Sequence, residues 1–325
     1  MQFLLYGAYG YTGTLIAEMA ADYGLTPVLS GRSEAKLKPL AERLGYAYRV
    51  CDLSDQGALD ALLADFSVVL HAAGPFQYTA KPMLEACLRT KTHYLDITGE
   101  IEVFELAATY DKQAQAAGIM LLPGAGFDVV PTDCLALYLK EKMPTATHLQ
   151  LAFSAMGKAG VSRGTAKTMA ENLGELSTVR ENGKLKKVPL GHKTLQVPFT
   201  DERSWFVVSI PWGDVSTAYY STRIPNIETY MAYPPKQFWT IKYQKYLSWA
   251  LKSSVVKNMA KRRIDKQAPG PSAALRAESD GLVWGRVRNV AGDTVKARLR
   301  TPNGYTLTAI TSLMCTKKVL ENNAP

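Results

Sequence analysis

Apolar and polar positions alternate along the first 130 residues in two rhythms: short apolar runs, and longer stretches with helical spacing. The runs at 2–8, 26–32, 46–52, 67–73, 93–98 and 119–123 are rich in Val, Leu, Ile and Tyr and predict strands. The stretches at 12–23, 34–44, 55–64, 80–90 and 102–117 predict helices. Six strands joined by helices describe a parallel sheet covered on both faces. With right-handed crossovers this is a doubly wound α/β fold.

After Gly124-Ala125-Gly126 the rhythm changes. Helices are expected at 132–142 and 164–177, and strands at 148–154, 205–211, 217–222 and 228–233. Residues 281–289 and 294–299 alternate like a hairpin with Ala291-Gly292-Asp293 at its turn, and a helix follows at 307–320. The chain therefore divides into residues 1–125 and a mixed α+β domain at 126–325, whose last helix has the option of returning to the first domain.

Composition changes this picture in one place. The 325 residues carry a formal charge of +9, but residues 235–266 hold nine Lys or Arg and a single acid, Asp265. The basicity is thus local, and no nucleic-acid motif accompanies it. That stretch also contains Phe238, Trp239, Tyr243, Tyr246 and Trp249. Lys242, Lys245 and Lys252 fall on one side at helical spacing, with Tyr243, Tyr246, Leu247 and Leu251 on the other. Three readings stand: a core-packed helix with a solvated face, which Trp and Tyr at this spacing favour; an interfacial helix on anionic lipid; and a cover over an apolar substrate. Cys51, Cys87, Cys134 and Cys315 stand far apart and the four histidines form no closely spaced pair, so reduced thiols and no metal are expected. Residues 1–7 show no basic or cleavable leader, which predicts a cytoplasmic protein.

The first strand runs into Gly7-Ala8-Tyr9-Gly10-Tyr11-Thr12-Gly13 and then a helix. Gly7 permits a tight turn, Gly10 lets backbone approach a pyrophosphate, and Gly13 lets helix and strand pack closely. The helix N-terminus adds free N–H groups and a positive dipole end, and Thr12 a hydroxyl. This reads as a Rossmann-type dinucleotide site, with a plain strand-to-helix turn as the competing reading. An NAD site wants an acid some 20 residues further on, at the end of the second strand. The chain has Ser30-Gly31-Arg32-Ser33 there, and a guanidinium with a hydroxyl suits a 2′-phosphate, so NADP(H) is expected over NAD(H). Arg32 as an ordinary surface cation is the competing reading. Asp52, after the third strand, either meets the adenine edge or caps a helix. Ala73, Gly74, Pro75 and Phe76, after the fourth, are expected beneath the nicotinamide ribose.

These segments together resemble the saccharopine dehydrogenase-like oxidoreductases, relatives of the trans-acting enoyl reductases. The resemblance rests on the glycine loop, Ser30-Gly31-Arg32, Ala72-Ala73-Gly74-Pro75-Phe76, the run from His93 to Glu100, and the run from Gly124 to Asp133. Arg163-Gly164-Thr165-Ala166-Lys167-Thr168-Met169 matches more weakly. It implies an NADP-binding domain, an oxidoreductase that is cytoplasmic or membrane-associated, and a homodimer built through the second domain. Tyr9 departs from the family's usual Thr. The glycine-proline motif of true saccharopine reductases is missing at the junction, so saccharopine is not the expected substrate. The chain stops at Pro325, where family members commonly continue, so a tail closing over the site is expected to be missing.

Ligands of open α/β sheets lie beyond the carboxyl ends of the strands, where Tyr94, Asp96, Thr98, Glu100, Asp128, Thr132 and Asp133 converge. Hydride transfer to a carbonyl, imine or enoyl group needs a proton donor. Tyr94 and Asp128 are the leading candidates, with Asp96 third; each also has a purely architectural reading. Glu100 is expected to cap the helix after it. Tyr138-Leu139-Lys140-Glu141-Lys142 fits a Y-x-x-x-K pattern but begins two turns into its helix, about 10 Å from the cofactor end, and is discounted. Lys167 is either a dock for an anionic substrate group or a solvated lysine. Two functions compete: an NADP(H)-dependent oxidoreductase on a small, hydrophobic molecule, and a dinucleotide-binding sensor or scaffold without turnover.

Overall fold

The computed structural model describes residues 1–154, 160–244 and 246–323. The chain forms two compact units, Met1–Asp128 with Tyr305–Pro325, and Val129–Gly304.

In the first unit the elements run β1 (Gln2–Tyr6), α1 (Tyr11–Met19), β2 (Thr26–Gly31), α2 (Glu34–Leu44), β3 (Tyr48–Val50), α3 (Gln56–Leu63), β4 (Val68–His71), α4 (Phe76–Thr90), β5 (His93–Asp96), α5 (Ile101–Thr109), α6 (Asp111–Ala117) and β6 (Leu121–Leu122). The six strands pair in parallel in the order β3-β2-β1-β4-β5-β6. Strand alternation explains the two cores. Phe3 and Leu5 of β1 join Leu15, Ile16, Leu37 and Leu40 on one face. Leu4 and Tyr6 join Leu59, Leu63, Met83, Leu84 and Val103 on the other. Each fully buried Leu or Phe contributes roughly 1.5–3 kcal/mol, so both faces hold the sheet. The helix expected at 102–117 is divided at Tyr110, whose hydroxyl donates to Glu85 Oε1 at 2.9 Å.

The second unit contains α7 (Val130–Lys142), β7 (His148–Ser154), α8 (Arg163–Glu171), β8 (Ser177–Glu181), β9 (Lys184–Val188), β10 (Thr194–Val197), β11 (Trp205–Ser209), α9 (Asp214–Thr222) and β12 (Asn226–Ala232). Three short helices follow, α10 (Phe238–Gln244), α11 (Ser248–Leu251) and α12 (Ser254–Asp265). Then come α13 (Ala273–Ala277) and the hairpin β13 (Gly281–Arg288) and β14 (Thr294–Thr301). The sheet is mixed, ordered β10-β11-β12-β7-β13-β14, with β8 and β9 attached beside β12. Gly292, at φ +94°, turns the last hairpin.

Two readings of this unit are corrected. Residues 217–222 are helix, not strand: Val215, Ala218 and Thr222 fall on one buried face at helical spacing, and this outweighs the strand preference of Thr and Tyr. The helix expected to reach Ser177 stops at Glu171, and Ser177 opens β8. The β8–β9 hairpin turns at Asn182 and Gly183, both at positive φ.

The last helix, α14 (Gly304–Leu320), supplies Ala309, Leu313 and Val319 to the core around α1, with Tyr305 edge-on to Tyr11 at 5.0 Å. It also holds the loop after β6. The Phe127 N–H donates to Thr308 Oγ1 at 3.0 Å, and the Thr311 hydroxyl donates to the Ala125 carbonyl at 2.7 Å. A Cβ on Gly126 would come within 2.8 Å of Thr308, which explains the glycine.

Candidate functional site

The glycine loop is built as its spacing requires. Gly7 has φ +86°, and a Cβ there would meet the Ala72–Ala73 backbone at 2.7 Å. A Cβ on Gly13 would lie 2.4 Å from the Gly7 carbonyl oxygen, so only glycine lets α1 start this close to β1. The Ser30 carbonyl accepts from the Gly7 and Ala8 N–H groups at 2.8 and 3.2 Å, locking the loop to β2. The N-cap position of α1 is Gly10, which offers no side-chain cap to the first turn, where Tyr11 and Thr12 stand. Glycines at positions 7, 10 and 13 and an uncapped helix start form a cradle that fits a pyrophosphate.

Arg32 and Ser33 follow β2 at the edge of this cradle; Arg32 is exposed and, among the described residues, makes no hydrogen bond or ion pair. Ser30 differs from the expectation. Its hydroxyl is fully enclosed in the sheet and has no partner there, so Ser30 serves the loop through its carbonyl. Tyr9, expected to matter through its backbone, packs its ring on Gly31, where a Cβ would lie 2.7 Å from Cε1. Lys36 stands over the other part of that ring, its Nζ 5.5 Å from the centroid. Lys36, in the first turn of α2, is a second cation near this strand end that the strand-end motif does not show. Asp52 Oδ1 accepts from the N–H and hydroxyl of Ser54 at 2.9 and 2.8 Å, which lowers its pKa and closes a turn, while Asp55 caps α3.

At the other side of the same sheet end stand Ala73, Gly74, Pro75 and Phe76, with the Gly74–Pro75 peptide cis. His71 ends β4 and is fully buried, its Nε2 3.0 Å from Thr79 Oγ1, and the Thr79 hydroxyl donates to the Ala73 carbonyl at 2.7 Å. Burial pushes the His71 pKa down to about 3, so the neutral ring orients this loop. No motif marked His71 beforehand. Glu100 is corrected: it occupies the N-cap position of α5 without capping it. Its carboxylate accepts instead from the Phe76 and Gln77 N–H groups at 2.9 and 2.7 Å and caps α4. This cap from 24 residues away lets α4 begin at Phe76, four residues before the expected start at 80.

The three acid candidates are placed differently. Tyr94 is fully buried within the core, and its hydroxyl donates to Asp96 Oδ2 at 2.5 Å. Burial holds the phenol far above its usual range, so Tyr94 is a support for Asp96 and has no open path to a reacting atom. Asp96 is equally buried; its Oδ1 accepts from the Thr98 and Gly124 N–H groups at 2.9 and 2.7 Å. Asp96 therefore ties the exit of β5 to the loop after β6. Burial pushes its pKa up to about 6 against those hydrogen bonds. Asp128 keeps some exposure and has no hydrogen bond among the described residues. It lies against the backbone of Gly99, where a Cβ would meet Oδ2 at 2.6 Å. Crowded surroundings, then the charge of Glu100, push Asp128 up to about 7. Of the three it alone offers an exchangeable proton near neutrality at the open end of the strands.

Other candidates fall away in the second unit. The Ser221 hydroxyl donates to Asp133 Oδ2 at 2.5 Å, and Thr132 Oγ1 donates to the Val129 carbonyl. Lys142 Nζ stands over the exposed Tyr138 ring at 5.4 Å, an ordinary cation–π pair. Lys167 pairs with Asp265 at 2.6 Å.

Residues 3–122 match the family model described as the saccharopine dehydrogenase NADP binding domain. That part of the chain is thus similar to the NADP-binding domain of saccharopine dehydrogenases. Among curated relatives, a saccharopine dehydrogenase-like oxidoreductase of Bos taurus is 28% identical over 215 residues, covering 58% of this chain and 50% of the relative. A trans-acting enoyl reductase of Mycobacterium bovis is 31% identical over 199 residues, covering 57% and 48%. The chain spans about half the length of the curated relatives it matches. The saccharopine dehydrogenase (L-Glu forming) of Saccharomyces cerevisiae has the same fold, with a TM-score of 0.62 at 15% identity over 99% of this chain and 91% of that one.

Proposed function

We propose that the chain is an NADP(H)-dependent oxidoreductase acting on a carbonyl, imine or enoyl group of a small, apolar substrate. The dinucleotide supplies the hydride when bound. The chain's own part is to bind and to move a proton. The cradle from Gly7 to Gly13 takes the pyrophosphate, while Arg32, Ser33 and Lys36 take the 2′-phosphate. The loop from Ala73 to Phe76, held by His71, Thr79 and Glu100, lies along the nicotinamide end. Asp128 gives its proton to the substrate atom that gains negative character, and Asp96 with Tyr94 fixes the loop that carries it. The observation that carries this reading is Asp128, an acid of pKa about 7 without a hydrogen-bond partner among the described residues, at the same sheet end as an uncapped glycine cradle. The names of the relatives support the reaction class. A homodimer built through the second unit and a cytoplasmic location accompany this proposal.

The test is NADPH oxidation measured against aldehydes, imines and enoyl thioesters. Turnover with one class is expected, lost in Asp128→Asn with NADPH affinity retained. Tight NADPH binding with no turnover on any class would instead favour the sensor.

A further inference from the structure

The cationic stretch at 235–266 is not the core-packed helix its aromatic spacing favoured. It is three short helices, and among their described residues only Ile264 is buried. They are seated from one side. Phe238 and Ile241 close on Gly191, with Phe238 also edge-on to Phe206 at 5.4 Å, and Leu251 closes on Gly174. Lys252, Lys257 and Lys261 add ion pairs to Glu175 and Glu171. The other side faces water. Trp239 is 62% exposed and Trp249 79%, and Tyr243, Tyr246, Leu247 and Met259 are exposed as well. Lys245 lies outside the described residues.

We infer that this outward side docks on an anionic lipid membrane, lying in the bilayer interface. Charge selects the partner. No acid occurs between Thr229 and Ile264, and Lys236, Lys242, Arg262 and Arg263 make no ion pair among the described residues. Cations interspersed with Trp and Tyr suit a surface that is anionic outside and apolar a few ångströms deeper, where the rings lie at headgroup depth. A second copy of the chain fits less well, because pairing this patch with itself would bring like charges together. An interfacial contact also agrees with the helix lengths: among the described residues no helix is long and apolar enough to cross a membrane.

The full chain is mixed with vesicles of phosphatidylcholine alone, or with about 30% phosphatidylserine, and sedimented at low and high salt. Sedimentation with the anionic vesicles only, reduced by salt, is expected, with a blue shift of tryptophan emission. The doubly substituted Trp239→Ser, Trp249→Ser chain, its thermal unfolding unchanged, should lose roughly tenfold or more of this partitioning. Lys242→Glu should weaken it and leave the residual binding less sensitive to salt. The inference is overturned if the wild-type chain stays in the supernatant with anionic vesicles, or sediments equally with neutral ones. It is also overturned if the tryptophan substitutions abolish self-association in light scattering while leaving sedimentation intact. NADPH turnover enters none of these readouts, so failure here is separate from failure of the proposed reaction.

Discussion

At the carboxyl end of the parallel sheet, acids are drawn inward: Asp96 is fully buried, Glu100 caps a helix from a distance, and Asp128 is crowded against Gly99. Across α10 to α12 of the second unit the opposite holds, with Lys242, Arg262 and Arg263 exposed and Lys252, Lys257 and Lys261 paired with Glu175 and Glu171. The difference is one of cost. A carboxylate taken out of water must be matched by hydrogen bonds or shift its pKa, and both happen in the first unit. Exposed ion pairs carry only about 0–1 kcal/mol. Costly charge gathers at the carboxyl end of the first unit's sheet; cheap charge covers the outer side of α10 to α12.

The largest break in that comparison comes from Asp96. Asp96→Ala leaves the Thr98 and Gly124 N–H groups and the Tyr94 hydroxyl without their shared partner, and should cost about 3 kcal/mol or more in urea unfolding. Next is Asp128. Asp128→Asn should lower turnover roughly 100-fold, and the wild-type reduction rate should fall as pH rises through about 7, where the proton is lost. Its folded pKa stands above the ordinary 3.8, so the native state holds more protons than the unfolded chain between these values. Stability from this group is therefore full below about pH 4 and declines as pH rises towards 7, and Asp128→Asn should flatten that part of the profile. The smallest effect belongs to the second unit: Glu175→Ala breaks the pairs with Lys252 and Lys257 and should cost less than about 1 kcal/mol, diminishing with salt.

Legibility follows the range of the interactions. The glycine loop, the helix at Glu34–Leu44, the strand at His148–Ser154 and the final hairpin are written in local spacing, and their signals agree with the fold. Asn182-Gly183 was an equally local hairpin signal that an alternation reading passes over. Glu100 capping α4 and Thr308 seating Gly126 join residues 24 and 182 positions apart, and no short window contains them. Tyr94 illustrates the limit in the other direction. It is expected with Asp96 at the carboxyl end of β5, but it is the second residue of that strand, alternation turns its ring into the core, and only the partner of its hydroxyl shows that it works through Asp96. The helices at 235–266 were legible as helices, while their outward aromatics were not, because periodicity places residues on a face without saying what covers it.

The account turns on NADP(H) held at the cradle with its 2′-phosphate at Arg32. Isothermal titration of NADPH and NADH into the wild-type chain and Arg32→Ala tests it most directly. NADPH should bind the wild type more tightly than NADH, and Arg32→Ala should weaken NADPH roughly 10- to 100-fold while leaving NADH nearly unchanged, as expected for loss of charge-assisted hydrogen bonds. Unchanged NADPH affinity in Arg32→Ala, or wild-type preference for NADH, would contradict it.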